Sequence, residues 1–127
     1  MMKYMLSKLN NRYFELNNQG SHYRDFTYID DVTSILKKII FDKKINGYKI
    51  LNICSNNPIK VSRILKKLDK LYGKPKIKHK KKLSIEVLKT HGSNSKIKNL
   101  IKFKNFTNID KGLLNLVLWA KKYLDKI

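Results

Sequence analysis

The sequence predicts one small α/β or α+β unit. Three observations carry that reading. Hydrophobic spacing switches repeatedly between strand-like alternation and helical stripes; Gly, Asn and Pro punctuate the chain between those stretches; and helical and strand-like segments alternate instead of running in blocks. At 127 residues there is room for a single domain, 1–127, with a modest core.

The elements follow in order. "YFEL" (13–16) and "RDFTYI" (24–29) predict short strands, with "NNQGSHY" between them as a turn-forming loop. Asp30 or Asp31 can then cap a helix whose Val32, Ile35, Leu36, Ile39 and Ile40 form one apolar stripe, ending before "INGY". "YKILNIC" (48–54) is a compact apolar strand, stopped by "SNNP". Val61, Ile64, Leu65, Leu68 and Leu71 mark a second amphipathic helix, closed by Gly73 and Pro75. "KIKHKK" predicts an edge strand, where lysines discourage unwanted pairing. A short helix over 94–101 follows. In the last helix Asn108 is the N-cap and Asp110 lies in the first turn, while Ile109, Leu113, Leu116, Val117, Ala120, Leu124 and Ile127 share a face. Short strands with about four helices offer more apolar faces than so small a sheet can cover, so a further covering layer is expected.

Composition narrows the function classes. The formal charge of +20, from 29 basic and 9 acidic residues, suits nucleic acid, an anionic surface or a phosphorylated ligand. Yet 26 of the bases are Lys and 3 are Arg, and Lys, Ile and Asn all have A/T-rich codons, so drifted base composition accounts for much of the charge. One cysteine, Cys54, excludes an intramolecular disulfide and suits a reducing interior. Three scattered histidines, His22, His79 and His91, give no support to a metal. No run of about 20 apolar residues and no signal-like leader is present, so a cytoplasmic protein without a membrane is expected.

The order of pieces carries a resemblance. A glycine loop, "RDFTYIDDV", a helix, "ILNICSNNPIKV", a helix ending "KLYGK", then "THGSNSKIKNLIKFK" and "GLLNLVLWAKKYL" resembles the C-terminal part of the extended short-chain dehydrogenase/reductase family, the NAD-dependent epimerases and dehydratases. Within it the likeness is nearest to nucleotide-sugar epimerases of the UDP-glucuronate 4-epimerase type. The resemblance implies an α/β substrate-binding lobe of an extended Rossmann-type fold, with the Rossmann half missing: the five glycines, at 20, 47, 73, 92 and 112, never make the GxxGxxG that brings a backbone to the NAD pyrophosphate. NAD belongs to the parent family and is not expected to bind this fragment. The family's catalytic YxxxK is matched in spacing twice. Tyr72 and Lys76 have Gly73 and Pro75 between them, which prevent a helical turn; Tyr4 and Lys8 can share a helix but precede the substrate loop. No catalytic residue is expected.

By the same resemblance Arg24 contacts a phosphate of UDP, a task for which a planar guanidinium with two parallel hydrogen bonds is suited; the structural alternative is an ion pair with Asp25, Asp30 or Asp31. Those carboxylates are read as caps and local partners. Glu86, in "SIEVLKTHGSNSKI", takes the place of the acid that approaches the ribose, with Ile85 where the family has glycine and Ser93 capping the short helix. Leu16 falls where the family lines its uracil pocket. Trp119 and Cys54 read as packing residues. The fragment is thus expected to bind a UDP-sugar without catalysing alone, a separate Rossmann-half chain being a possible partner. The alternatives are a basic nucleic-acid module built on "KPKIKHKKK" (74–82), which lacks interleaved aromatics and arginines, and a decayed gene product without function.

Overall fold

A computed structural model describes residues 1–42, 45–81 and 86–124. Among these residues ten elements follow one another: helix α1 (Met2–Leu9), strand β1 (Tyr13–Asn17), a 3-10 turn (Asn18–Gly20), β2 (Tyr23–Asp25), α2 (Ile29–Phe41), β3 (Pro58–Lys60), α3 (Val61–Tyr72), β4 (Lys76–Lys80), α4 (Ser95–Ile101) and α5 (Ile109–Tyr123). The strands form two small sheets. β1 pairs with β4 in parallel, Tyr13 opposite Lys76, and β2 pairs with β3 antiparallel, Arg24 opposite Ile59.

The core lies where α1, β1, α3 and α5 meet. Ile64, Leu65 and Leu68 repeat at helical spacing and give α3 a buried stripe against Leu113, Val117 and Ala120 of α5. Tyr4 and Met5 of α1 close this core from the other side, and the Tyr4 ring meets Phe14 edge-on at 4.9 Å. The Tyr4 hydroxyl donates to the Asp69 carboxylate. The 3-10 turn is held against the start of α3, because Gly20 has a positive φ of 68° and a Cβ there would lie 3.1 Å from the Ser62 nitrogen.

Four local expectations change. The strand expected over 24–29 is only Tyr23–Asp25, since Tyr28 already serves as N-cap of α2. Asp30 and Asp31 therefore lie inside the first turn, where a carboxylate still opposes the helix dipole. Trp119, expected as a packing residue, is 45% exposed beside the Tyr123 ring. The fourth change concerns 48–54, which pairs with no strand among the described residues, and whose main chain makes no backbone hydrogen bond there. A strand sequence without a neighbouring edge cannot make a ladder. The segment β3, not expected, forms because Pro58 opens a strand at its first position, where no donor is needed.

Helix α5 follows its sequence reading closely: Asn108 Oδ1 accepts from Asp110 N at 2.7 Å. Ile127, expected on its apolar face, lies outside the described residues, as do Lys82 and Ile85.

Candidate anion-binding ribbon

The residues around Arg24 form a narrow ribbon. On one side β2 pairs with β3; on the other, 88–90 runs beside it, with Tyr23 N donating to Leu88 O at 2.8 Å and Thr90 N to Tyr23 O at 3.2 Å. This second flank also carries Glu86. The fold thus brings Arg24 and Glu86 into one neighbourhood, although they are far apart in sequence.

Asp25 is the hub of the ribbon. Its Oδ1 accepts from Ser55 Oγ at 2.5 Å and its Oδ2 from Asn56 N at 3.1 Å and Gly92 N at 3.5 Å. One carboxylate therefore satisfies the loop after 48–54 and the turn before α4 together. Cys54 lies beneath the same turn: a Cβ on Gly92 would meet its sulfur at 2.8 Å. Burial, and then the Asp25 charge, push the Cys54 thiol above its ordinary value, so it packs as a neutral group.

Asp31 is likewise committed elsewhere. It is buried and accepts from Thr107 N at 2.7 Å and Thr107 Oγ1 at 2.8 Å, tying α2 to the approach to α5. Asp30 is exposed. The structural ion pair weighed for Arg24 is consequently not formed: its Nη1 donates to the Tyr23 carbonyl at 2.8 Å, and no carboxylate among the described residues pairs with it. Arg24 is half-buried with donor capacity to spare.

Glu86 is engaged with His22, Oε1 to Nε2 at 3.0 Å. Its other oxygen, Oε2, and His22 Nδ1 are shielded from solvent and have no hydrogen-bond partner among the described residues. Leu16 is 8% exposed and belongs to the core of β1 and α3. Ser93 Oγ faces Ser95 N at 3.5 Å, but the N-cap of α4 is Asn94, whose amide donates instead to Cys54 O at 2.9 Å.

Two cavities lie away from this ribbon's predicted residues. One, of about 700 Å³, is lined by Tyr23, Ile59, Lys60, Arg63 and Phe106 among others; a second, of about 580 Å³, lies between Met1, Tyr28 and Trp119. Arg24, Glu86 and Leu16 line neither.

Both Tyr-Lys pairs are accounted for structurally. Tyr4 is buried, and that burial, with the Asp69 carboxylate it binds, pushes its phenol well above the ordinary value. A group so protonated is unsuited to accept a proton near neutrality. Tyr72 ends α3 while Lys76 opens β4. The N-caps of α2, α3, α4 and α5 are Tyr28, Lys60, Asn94 and Asn108, and among the described residues none of them follows a glycine-rich strand-to-helix turn of the kind that brings a backbone to a dinucleotide pyrophosphate. Among the described residues no group of three His, Cys, Asp or Glu side chains could hold a metal, and no helix is long and apolar enough to cross a membrane. The lysine run lies largely on β4, where Lys76, Lys78 and Lys80 are exposed and Lys80 pairs with Glu15 at 2.6 Å.

The Asp25 hub and the His22–Glu86 pair are what sequence reasoning missed. "CSNNP" did hold a signal, being rich in hydrogen-bond donors that need an acceptor; nothing local links His22 to Glu86.

Comparison with known proteins adds a consistent set. No protein-family profile matches the chain. It is 34% identical over 110 residues to a UDP-glucuronate 4-epimerase of Thermodesulfobacterium geofontis, which covers 85% of this chain and 33% of the relative. An Arabidopsis thaliana protein named UDP-glucuronate 4-epimerase 4 is 29% identical over 126 residues, covering 87% of this chain and 28% of its own. The chain thus spans about a third of the curated relatives it matches. Among solved structures, the UDP-glucuronic acid 4-epimerase of Bacillus cereus with UDP-glucuronic acid and NAD superposes with a TM-score of 0.82 at 23% identity, over 94% of this chain and 38% of the other. MoeE5 in complex with UDP-glucuronic acid and NAD gives 0.85 at 21%, over 96% and 42%. These superpositions show the fold.

Proposed function

Because the chain is a homologue of the UDP-glucuronate 4-epimerases and of the NAD-dependent epimerase/dehydratase family, matching a part of their length, we propose that it is a substrate-binding lobe that grips the diphosphate of a UDP-sugar through Arg24. The observation that carries this is the state of the three aspartates around that arginine. Asp25 and Asp31 are bound to Ser55, Asn56 and Thr107, and Asp30 is exposed, so Arg24 keeps a guanidinium that none of them compensates. Two parallel hydrogen bonds to phosphate oxygens use that geometry well.

Glu86 would serve a ribose hydroxyl through Oε2, the oxygen His22 leaves unpaired, once the 86–92 segment opens. Leu16 would contribute through the main chain of β1, because its side chain is committed to the core. The 1–127 unit holds no nicotinamide machinery in this reading. NAD and the proton-transferring residues would come from a companion Rossmann-type unit, in a reducing cytoplasm that suits the lone Cys54.

Isothermal titration of the chain with UDP-glucuronic acid at low salt tests the reading. Binding is expected, weakened at least about tenfold in Arg24→Ala, which removes roughly 1.5–3 kcal/mol of charge-assisted hydrogen bonding. Equal heats from the two proteins, or none from either, would remove the basis for a UDP-sugar lobe.

A further inference from the structure

The larger of the two cavities, of about 700 Å³, is walled by the starts of two helices that begin in opposite ways. On one wall α5 has Asn108 as its cap and Asp110 in its first turn, as a helix N-terminus favours. On another, α3 has Lys60 as its N-cap, no side-chain cap and no acid in its first turn, which holds Arg63 instead. Two cations thus stand at the positive end of a helix dipole, where carboxylates are favoured. Lys67, one turn after Arg63 on the same face, is answered by Asp110. Lys60 and Arg63 are not: no carboxylate among the described residues pairs with either, and the Arg63 side chain makes no hydrogen bond there. The cavity therefore carries a positive potential that the chain itself leaves unanswered.

Much of the remaining lining is aromatic. Tyr23 lies directly opposite Lys60 in the β2–β3 pair, so its ring and that cation share a face. The ring is 42% exposed, and Phe26 and Phe106 are half-buried in the same cavity. Arg24, the next residue along β2, points to the other face of the ribbon and does not line the cavity.

We propose that this cavity is a second ligand site, for a small molecule that joins one phosphate to a planar ring, the chemistry of a nucleoside monophosphate. The phosphate sits between Lys60 and Arg63 at the start of α3, where one anion answers both cations and the helix dipole. The ring stacks on Tyr23, beside the two phenylalanines. The cavity's volume suits a ligand of that size. A bare anion leaves the aromatic lining unused, and an uncharged ring leaves Lys60 and Arg63 uncompensated; a ligand with both parts meets both demands.

The inference does not rest on Arg24, so it and the UDP-sugar reading can fail separately. The test is isothermal titration with AMP at low salt, of the native chain with saturating UDP-glucuronic acid present and of Arg24→Ala. One-to-one binding is expected in both, at least about tenfold tighter than that of inorganic phosphate because the ring stacks. Arg63→Ala and Lys60→Ala, both at exposed positions and checked by circular dichroism to be folded, should each weaken AMP and phosphate alike, Arg63→Ala by at least about tenfold. Tyr23→Leu should bring AMP down to the affinity of phosphate and leave phosphate unchanged. Lys66→Ala, exposed on α3 outside the cavity, should change neither. Absence of saturable AMP binding overturns the proposal, and so does AMP binding no tighter than phosphate. Loss of AMP binding in Arg24→Ala, or its displacement by UDP-glucuronic acid, overturns it by putting the nucleotide on the ribbon. Equal effects of Lys66→Ala and Arg63→Ala overturn it in favour of general attraction to a chain of charge +20. Affinity that climbs steadily with the length of an oligodeoxyadenylate overturns it in favour of nucleic acid.

Discussion

The two ends of this small molecule treat apolar residues differently. Around α3 and α5, Leu68 is fully buried and Ile64 and Leu113 are 1% exposed, whereas in α2 and the following segment Ile40, Tyr48 and Ile50 are 72%, 91% and 70% exposed. Apolar content does not separate them. Each region has an amphipathic helix and a strand-like sequence beside it, but among the described residues only the first has most of its apolar stripe covered, while α2 buries Ile35 and leaves Ile29, Leu36 and Ile40 open. Burial is a property of partners, so the same kind of sequence gives a core in one region and an open apolar face in the other.

That contrast can be broken from the buried side first. Leu68→Ala should cost about 2–5 kcal/mol in urea unfolding, because it leaves a cavity between α3 and α5. Next in size is Asp31→Ala, which strips Thr107 N and Oγ1 of their acceptor at a buried site and should cost about 1–3 kcal/mol. Tyr4→Phe keeps the ring in place but removes the hydrogen bond to Asp69, for about 0.5–1.5 kcal/mol.

Tyr4 also gives a pH dependence with a definite sign. Its folded-state pKa is raised, so the folded chain holds the phenolic proton more tightly than the unfolded one. Its contribution is complete below the ordinary value of 10.0 and is lost as pH rises above it. Stability measured across that range should fall more steeply for the native chain than for Tyr4→Phe. On the exposed side Ile40→Lys and Ile50→Lys should each change the stability of the chain alone by no more than about 0.5 kcal/mol, the smallest effects of the series.

Legibility in the sequence followed the same division. Helices α3 and α5 were readable because period, cap and terminating glycine agree within a dozen residues: Asn108 does cap α5, and Gly73 does follow α3. Segment 48–54 reads as a strand in the sequence and forms none in the structure, since pattern reports what a segment can pair with and says nothing of whether a partner is present. At the ribbon, Arg24 stood out as one of three arginines. The engagement of Asp25 with Ser55 and Asn56, and of Glu86 with His22, was hidden because these contacts join distant segments and leave no periodic trace.

Peptide-resolved hydrogen exchange, with and without saturating UDP-glucuronic acid, tests the account most directly. In the free chain α3 and α5 should exchange slowest and 48–53 fastest; the ligand should slow 22–25 and 86–92 while leaving 48–53 fast. A ligand that protects nothing along the ribbon, or a segment 48–53 already as slow as α3, would contradict it.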